Sequence, residues 1–328
     1  MKYFNSQHKI RRTFLVGLLS SMLGLLIGGC GKDGLDPENE QQVLQVLATT
    51  THLADLARQI GGNKIAVSSL MKPGVDPHSF RASAQDINRL HRADLVLYHG
   101  LALEGKIAQV LEGAKNSGHA YFSPCEEVSS GLLIYAGDAN QSIDPHIWFS
   151  PDLWIACARA FSHRLANVLP EYEENFQGNL IAFENSVRQI DQWGQSLMLS
   201  IPEPRRVLIT SHDAFQYFGQ HFQVKVVGLQ GINTLVEAGL ADRTNLVDFI
   251  RRHQSPALFV ESSVNPKALE EIAKESGAVI GGTLFSDALG TEDPTITGIE
   301  GKPLSAATWQ GMMTHNLSTI AKALKKQP

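Results

Sequence analysis

The chain has 328 residues, 43% of them hydrophobic and 19% charged. That is enough apolar material for one large core or two smaller ones, and it excludes a disordered or collagen-like chain. A formal charge of -5, from 28 Lys+Arg against 33 Asp+Glu with no long basic run after the first dozen residues, argues against nucleic acid as a partner.

In chain order, Lys2, Lys9, Arg11 and Arg12 precede a charge-free apolar run from Phe14 to Gly29. The run is short for a bilayer span of about 20 residues, so residues 1–29 read as an export signal. It ends in Leu26-Ile27-Gly28-Gly29-Cys30 and resembles a bacterial lipoprotein signal. That resemblance implies cleavage before Cys30, lipid attachment at Cys30, and an extracytoplasmic protein anchored to a membrane. Arg11 to Leu15 also resembles, in part, a twin-arginine export signal. Loss of residues 1–29 removes four positive charges and leaves 24 basic against 33 acidic residues. Residues 30–42 are polar, rich in Gly and acidic side chains, and without hydrophobic period, which predicts a flexible tether.

From Val43 onward, short apolar runs alternate with amphipathic segments. Strands are predicted at 43–49, 64–71 and 94–100, with helices at 51–60 and 84–92; this predicts an N-terminal α/β lobe over 43–168 with mainly parallel strands. In the segment 170–200, Phe176, Leu180, Phe183, Val187, Ile190 and Leu197 recur at helical spacing, so 169–201 reads as one long connecting helix. Gly178 and Gly194 weaken its interior. Strands at 205–211, 222–229, 256–262 and 278–285, with helices at 240–253, 266–277 and 307–325, predict a second α/β lobe over 202–328. Cys125 and Cys157 are too few for a disulfide framework and read as free buried thiols.

The tripeptide Asp-Pro-His occurs twice, at Asp76-Pro77-His78 and Asp144-Pro145-His146. Proline fixes its own φ and keeps the residue before it out of helix, so each histidine sits on a rigid turn. The Asp two positions earlier suits a local turn or the orientation of an imidazole. His212 follows an apolar strand, and Asp287 ends the run AVIGGTLFSD, both where open parallel sheets place ligands. Three imidazoles and one carboxylate, two from each lobe, fit a divalent cation held in an interlobe cleft.

These residues carry a resemblance to the metal-binding solute-binding lipoproteins of bacterial ABC transporters, the TroA type. It covers residues 43–325 and rests on DPHSF at 76–80, DPHIWFSP at 144–151, SHDAFQYF at 211–218, GLQGINT at 228–234, FVESSV at 259–264, and GGTLFSDALG with GMMTHNLSTI near the end. The resemblance implies two α/β lobes joined by one rigid helix, a metal ion bound between them by His78, His146, His212 and Asp287, and delivery to an ABC permease with its ATPase. A monomer is expected. Two departures bear on the metal. Zinc-dedicated members often carry a His- and Asp-rich loop between the first two ligands, and 120–143 holds no His; manganese-dedicated members often have Glu where this chain has His212. Three neutral nitrogens favour zinc, with manganese and iron behind it.

The other histidines carry no paired motif; His91 and His253 read as solvated, and His315 as packing near the cleft. Glu261 reads either as an acceptor near the site or as a strand-end hydrogen bond. Trp148 and Phe149 read as packing under the second histidine turn. The rival functions are an exported metal-dependent hydrolase, against which there is no HExxH helix and no evident general base, and a surface adhesin or metal buffer that meets no permease.

Overall fold

The computed structural model describes residues 43–116, 120–136, 142–253, 257–293 and 295–325; the expected signal, Cys30 and the tether lie outside them. The first lobe runs β1 (Leu44–Ala48), α1 (Thr51–Gly61), β2 (Ile65–Ser69), α2 (Ala84–Arg92), β3 (Leu95–Leu97), α3 (Ala108–Asn116), β4 (Tyr121–Phe122), β5 (Tyr135–Ala136), β6 (Ser142–Ile143) and α4 (Pro151–Val168). Helix α5 (Glu173–Leu199) links it to β7 (Val207–His212), α6 (Gln216–Phe222), β8 (Lys225–Gln230), α7 (Leu240–His253), β9 (Ala257–Glu261), α8 (Lys267–Ser276), β10 (Val279–Leu284), β11 (Thr295–Thr297), β12 (Pro303–Ser305) and α9 (Trp309–Lys325). Each lobe holds a four-stranded parallel sheet, ordered β2-β1-β3-β4 and β10-β9-β7-β8.

Local chemistry sets the elements. Thr50 caps α1 by accepting from Leu53 N, and α1 buries Leu53, Ala54, Leu56, Ala57 and Ile60 on the sheet. Ser83 and Asp86 close a reciprocal cap at the start of α2. On α5, Phe176, Phe183, Val187, Ile190, Gly194 and Met198 form the buried stripe, and Pro170 opens a single 3-10 turn ahead of the helix. The long helix read from the sequence is therefore continuous through Gly178 and Gly194.

One hydrophobic cluster runs through both lobes and the linking helix, taking in Leu56 and Phe161, Phe183 and Met198, and Phe218 and Trp309. The seam is tied by polar contacts as well. Trp309 N donates to Asp55 Oδ2 at 2.8 Å, Trp309 Nε1 to Trp148 O at 2.8 Å, and Leu289 N to Thr51 Oγ1 at 2.8 Å. Gln310 Nε2 donates to Gln59 Oε1 and to Ser186 Oγ, both at 2.8 Å, which joins α9, α1 and α5.

Sequence reasoning missed α4. That helix buries Leu153, Trp154, Ile155, Cys157, Ala158, Phe161, Ser162 and Leu165, so burial on more than one side erases the single stripe that marks an amphipathic helix. The strands β4, β5 and β6 are two residues each, too short to show a period of two. Cys125 and Cys157 are free and buried, as read.

Candidate metal centre

His78 and His146 stand on turns that their own aspartates close. Asp76 Oδ1 accepts from His78 N at 2.8 Å, and Asp76 Oδ2 from Ser79 Oγ at 2.8 Å. Asp144 does more: its Oδ1 accepts from His146 N at 2.9 Å and lies 2.6 Å from His146 Nδ1, so it fixes both the turn and the ring. His212 is the last residue of β7 and not, as expected, beyond the strand; its pairing opposite Gln230 extends the ladder to it. Glu261, the last residue of β9, accepts from His212 N through Oε1 at 2.9 Å and sets Oε2 2.7 Å from His212 Nδ1. Asp287 lies three residues past β10.

The four predicted residues are all buried, and one donor atom from each lies within 4.8 Å of every other. His78 Nε2 and His146 Nε2 are 3.3 Å apart. Two imidazole nitrogens bound tetrahedrally to one ion at zinc-like bond lengths would sit about 3.3 Å apart. Asp287 presents Oδ1 3.4 Å from His146 Nε2 and Oδ2 3.2 Å from His212 Nε2. Apart from these two imidazoles, no hydrogen-bond donor among the described residues reaches either Asp287 oxygen. Buried polar atoms without partners are costly, and a cation at the focus of this set would satisfy them.

The charges are set by the surroundings. Burial pushes the Asp287 pKa up, but His212 and His146 reverse this and hold it well below the ordinary carboxylate value. Burial likewise opposes a charge on His146, yet Asp144 and Asp287 prevail and raise it to about 9. His212 is raised well above the usual imidazole range against burial, by Asp287 and Glu261. No carboxylate pairs with the His78 ring in this way; burial, together with the nearby His146 and His212 and only partly offset by Asp287 and Asp76, lowers it to about 4.

Trp148 forms an apolar floor, with ring centroids 5.3 Å from His146 and 4.6 Å from His52, and its Nε1 donates to Ser286 O at 3.1 Å. A cleft of about 540 Å³ leads to His78 between Leu101, Ala102, Pro145, Ile232 and Asn233. Leu101 and Ala102 both take positive φ, 53° and 63°, a conformation that costs energy in residues with a Cβ. The buried Glu104 carboxylate holds that turn by accepting from His99 N (2.7 Å), Gly100 N (3.1 Å) and Thr49 Oγ1 (2.6 Å). Across the cleft, Thr234 Oγ1 donates to Asp76 Oδ2 at 2.5 Å, and Tyr217 OH to Asp144 O at 3.1 Å. These two cross-lobe bonds were not read from the sequence, although Thr234 ends the GLQGINT stretch and Tyr217 lies in SHDAFQYF.

The other histidines stand apart from the cluster. His163 and His253 are exposed, His221 lies 2.5 Å from Asp191, and His315 Nε2 donates to Thr283 O at 2.8 Å. His52 and His99 are buried behind Trp148. His119 and Cys30 are outside the described residues.

Two parallel α/β lobes bridged by a long helix, with three imidazoles and a carboxylate converging between them, define a bilobal ion-binding scaffold. Residues 46–323 match the family model of the periplasmic zinc-uptake complex component A, and the chain belongs to that family. It is 41% identical over 318 residues to the manganese-binding lipoprotein MntA of Bacillus subtilis, covering 94% of this chain and 99% of that one. It is 29% identical over 318 residues to the manganese ABC transporter substrate-binding lipoprotein PsaA of Streptococcus pneumoniae, covering 95% and 99%. The solved structure of the periplasmic zinc binding protein TroA from Treponema pallidum superimposes with a TM-score of 0.79 at 34% identity, covering 86% of this chain and 99% of that chain. The family is one of substrate-binding transport proteins and not of enzymes, which removes the hydrolase reading.

Proposed function

We propose that this protein captures a divalent transition-metal ion at His78, His146, His212 and Asp287 and delivers it to an ABC permease energised by its ATPase. The observation that carries the reading is the convergence, from both lobes, of three imidazoles on a buried carboxylate that no other donor satisfies. The metal is cargo, so the site needs tight reversible binding and no open position for a reacting water. Three nitrogen donors give zinc the higher intrinsic affinity, with manganese and iron below it. Both Asp287 oxygens face the histidines, so a bidentate carboxylate can raise the coordination number for a larger ion such as manganese. Relatives named for zinc and for manganese support a site that accepts both, with supply outside the cell deciding which is carried.

The mature chain begins at Cys30, which carries the lipid and holds the protein as a monomer on the outer face of the membrane; residues 30–42 act as tether. The functional divisions are 43–168, 169–201 and 202–328. Competitive titration of the purified protein with Zn²⁺, Mn²⁺ and Fe²⁺ tests the reading. One ion per chain, bound most tightly for zinc and lost on His78→Ala or Asp287→Ala, is the expected result; no stoichiometric ion would overturn it.

A further inference from the structure

Behind the second histidine turn, four groups form a buried chain that the metal centre itself does not account for. Cys157 Sγ donates to Cys125 Sγ at 3.7 Å, Cys125 Sγ lies 3.5 Å from His99 Nδ1, and His99 Nε2 lies 2.7 Å from Pro145 O. Both thiols and His99 are fully buried. The direction of the chain follows from its last link. A carbonyl oxygen only accepts, so His99 Nε2 carries a hydrogen. Burial keeps His99 neutral, with its pKa lowered to about 3, so its Nδ1 is an acceptor and Cys125 S–H is the donor to it. Burial and the neighbouring Cys157 also raise the Cys125 pKa, which keeps that donor hydrogen in place.

His99 has no slack elsewhere. Its N donates to Glu104 Oε1 at 2.7 Å and its O accepts from Ser123 Oγ at 2.5 Å, so the backbone two residues past β3 is clamped and the ring alone ties it to the carbonyl immediately before His146. We propose that Cys125 and Cys157 are a reversible dithiol–disulfide pair whose redox state sets metal affinity through His99 and Pro145. The proposal rests on the reading of His146 as a metal donor.

The step balances as thiol–disulfide exchange with a low-molecular-weight disulfide: the two thiols give up two hydrogens, one S–S bond forms between Cys125 and Cys157, and the oxidant leaves as two thiols. The sulfurs are already in contact, and an extracytoplasmic protein meets oxidising conditions. Because both are buried, exchange proceeds as the lobe folds or opens. In the oxidised form Cys125 has no hydrogen to donate. His99 Nδ1 is then a buried acceptor without a partner, and the ring that holds Pro145 loses its fixed orientation.

The experiment incubates the full chain with excess oxidised glutathione during refolding, maps the peptides, and titrates Mn²⁺ and Zn²⁺ before and after dithiothreitol. The expected result is a cross-linked Cys125–Cys157 peptide lighter by two hydrogens, an affinity about tenfold weaker, in the range seen when groups that orient metal ligands are lost, and full recovery on reduction. Cys125→Ser keeps a donor to His99 and cannot cross-link, so it should bind like the reduced protein with or without oxidant; Cys125→Ala should bind like the oxidised one. Absence of the cross-link, or a cross-link that leaves affinity unchanged in a chain that binds metal, would overturn the proposal alone. A reduced chain that binds neither ion would overturn the metal-donor reading and the coupling with it.

Discussion

At Glu261 a single carboxylate carries two tasks: Oε1 receives the backbone N–H of His212, and Oε2 faces Nδ1 of the same imidazole. A metal-binding imidazole needs its far nitrogen held so that the near one points at the ion. Glu261→Gln keeps the shape and one acceptor but loses the charge, and should weaken metal binding by about 10- to 100-fold. His212→Ala, which removes a donor atom, should weaken it more. Competition titration orders the two; a Glu261→Gln affinity equal to that of the unaltered protein would mean that Glu261 has no part in the site. Protonation adds a second prediction at this scale. Without an ion, His146 with its pKa near 9 and His212 well above the usual range both hold a proton at pH 7, whereas His78, lowered to about 4, does not. The bound state holds none of these, so binding should release about two protons at pH 7, and affinity should fall as pH falls, roughly tenfold per released proton per pH unit. Calorimetry in buffers of different ionisation enthalpy counts those protons, and a count near zero would contradict the charge assignment.

Among the elements, α5 holds two glycines with opposite meanings. A Cβ on Gly178 would meet nothing within 4 Å, whereas one on Gly194 would stand 2.7 Å from Leu317 Cδ1 and 2.9 Å from Phe222 Cε1. Gly178→Ala should therefore stabilise by about 0.5–1 kcal/mol through helix propensity alone. Gly194→Ala gains the same propensity but overpacks the junction of α5, α6 and α9, at a cost of about 1–3 kcal/mol, so its net effect should be destabilising. Thermal unfolding of the two variants checks the pair, and the same sign for both would refute the close approach at Gly194. The sequence marks both glycines as helix-weakening and cannot separate them, because the difference lies in Leu317 and Phe222, 123 and 28 positions away. The same limit explains the rest of what was legible. Both Asp-Pro-His turns, the stripe of α5 and the parallel strands are local patterns, whereas α4 is buried on several sides and shows no stripe, and Thr234 with Asp76 meets only across the folded cleft.

For the whole molecule, the long helix and the shared core decide how the two lobes can move. Wide hinge closure needs a seam that opens without exposing a core. Here the seam is core: Phe183 and Met198 of α5 pack in one cluster with Phe161 of α4 and with Phe218 and Trp309 of the second lobe. Swinging the lobes apart would expose these aromatic side chains, each worth about 1.5–3 kcal/mol on full burial, and would break the bonds from Trp309 to Asp55 and Trp148. Metal capture and release must therefore work through small displacements near the cleft mouth, where the bond from Thr234 to Asp76 joins the lobes and the strained turn at Leu101 and Ala102 lines the entrance. Small-angle scattering profiles of the metal-free and metal-loaded protein should superimpose. Thr234→Val, which removes the hydroxyl and leaves the core intact, should speed metal dissociation without altering those profiles, as read by stopped-flow exchange into a chelator. A large compaction on metal binding would show that the seam opens despite its packing, and would move the hinge into α5 itself.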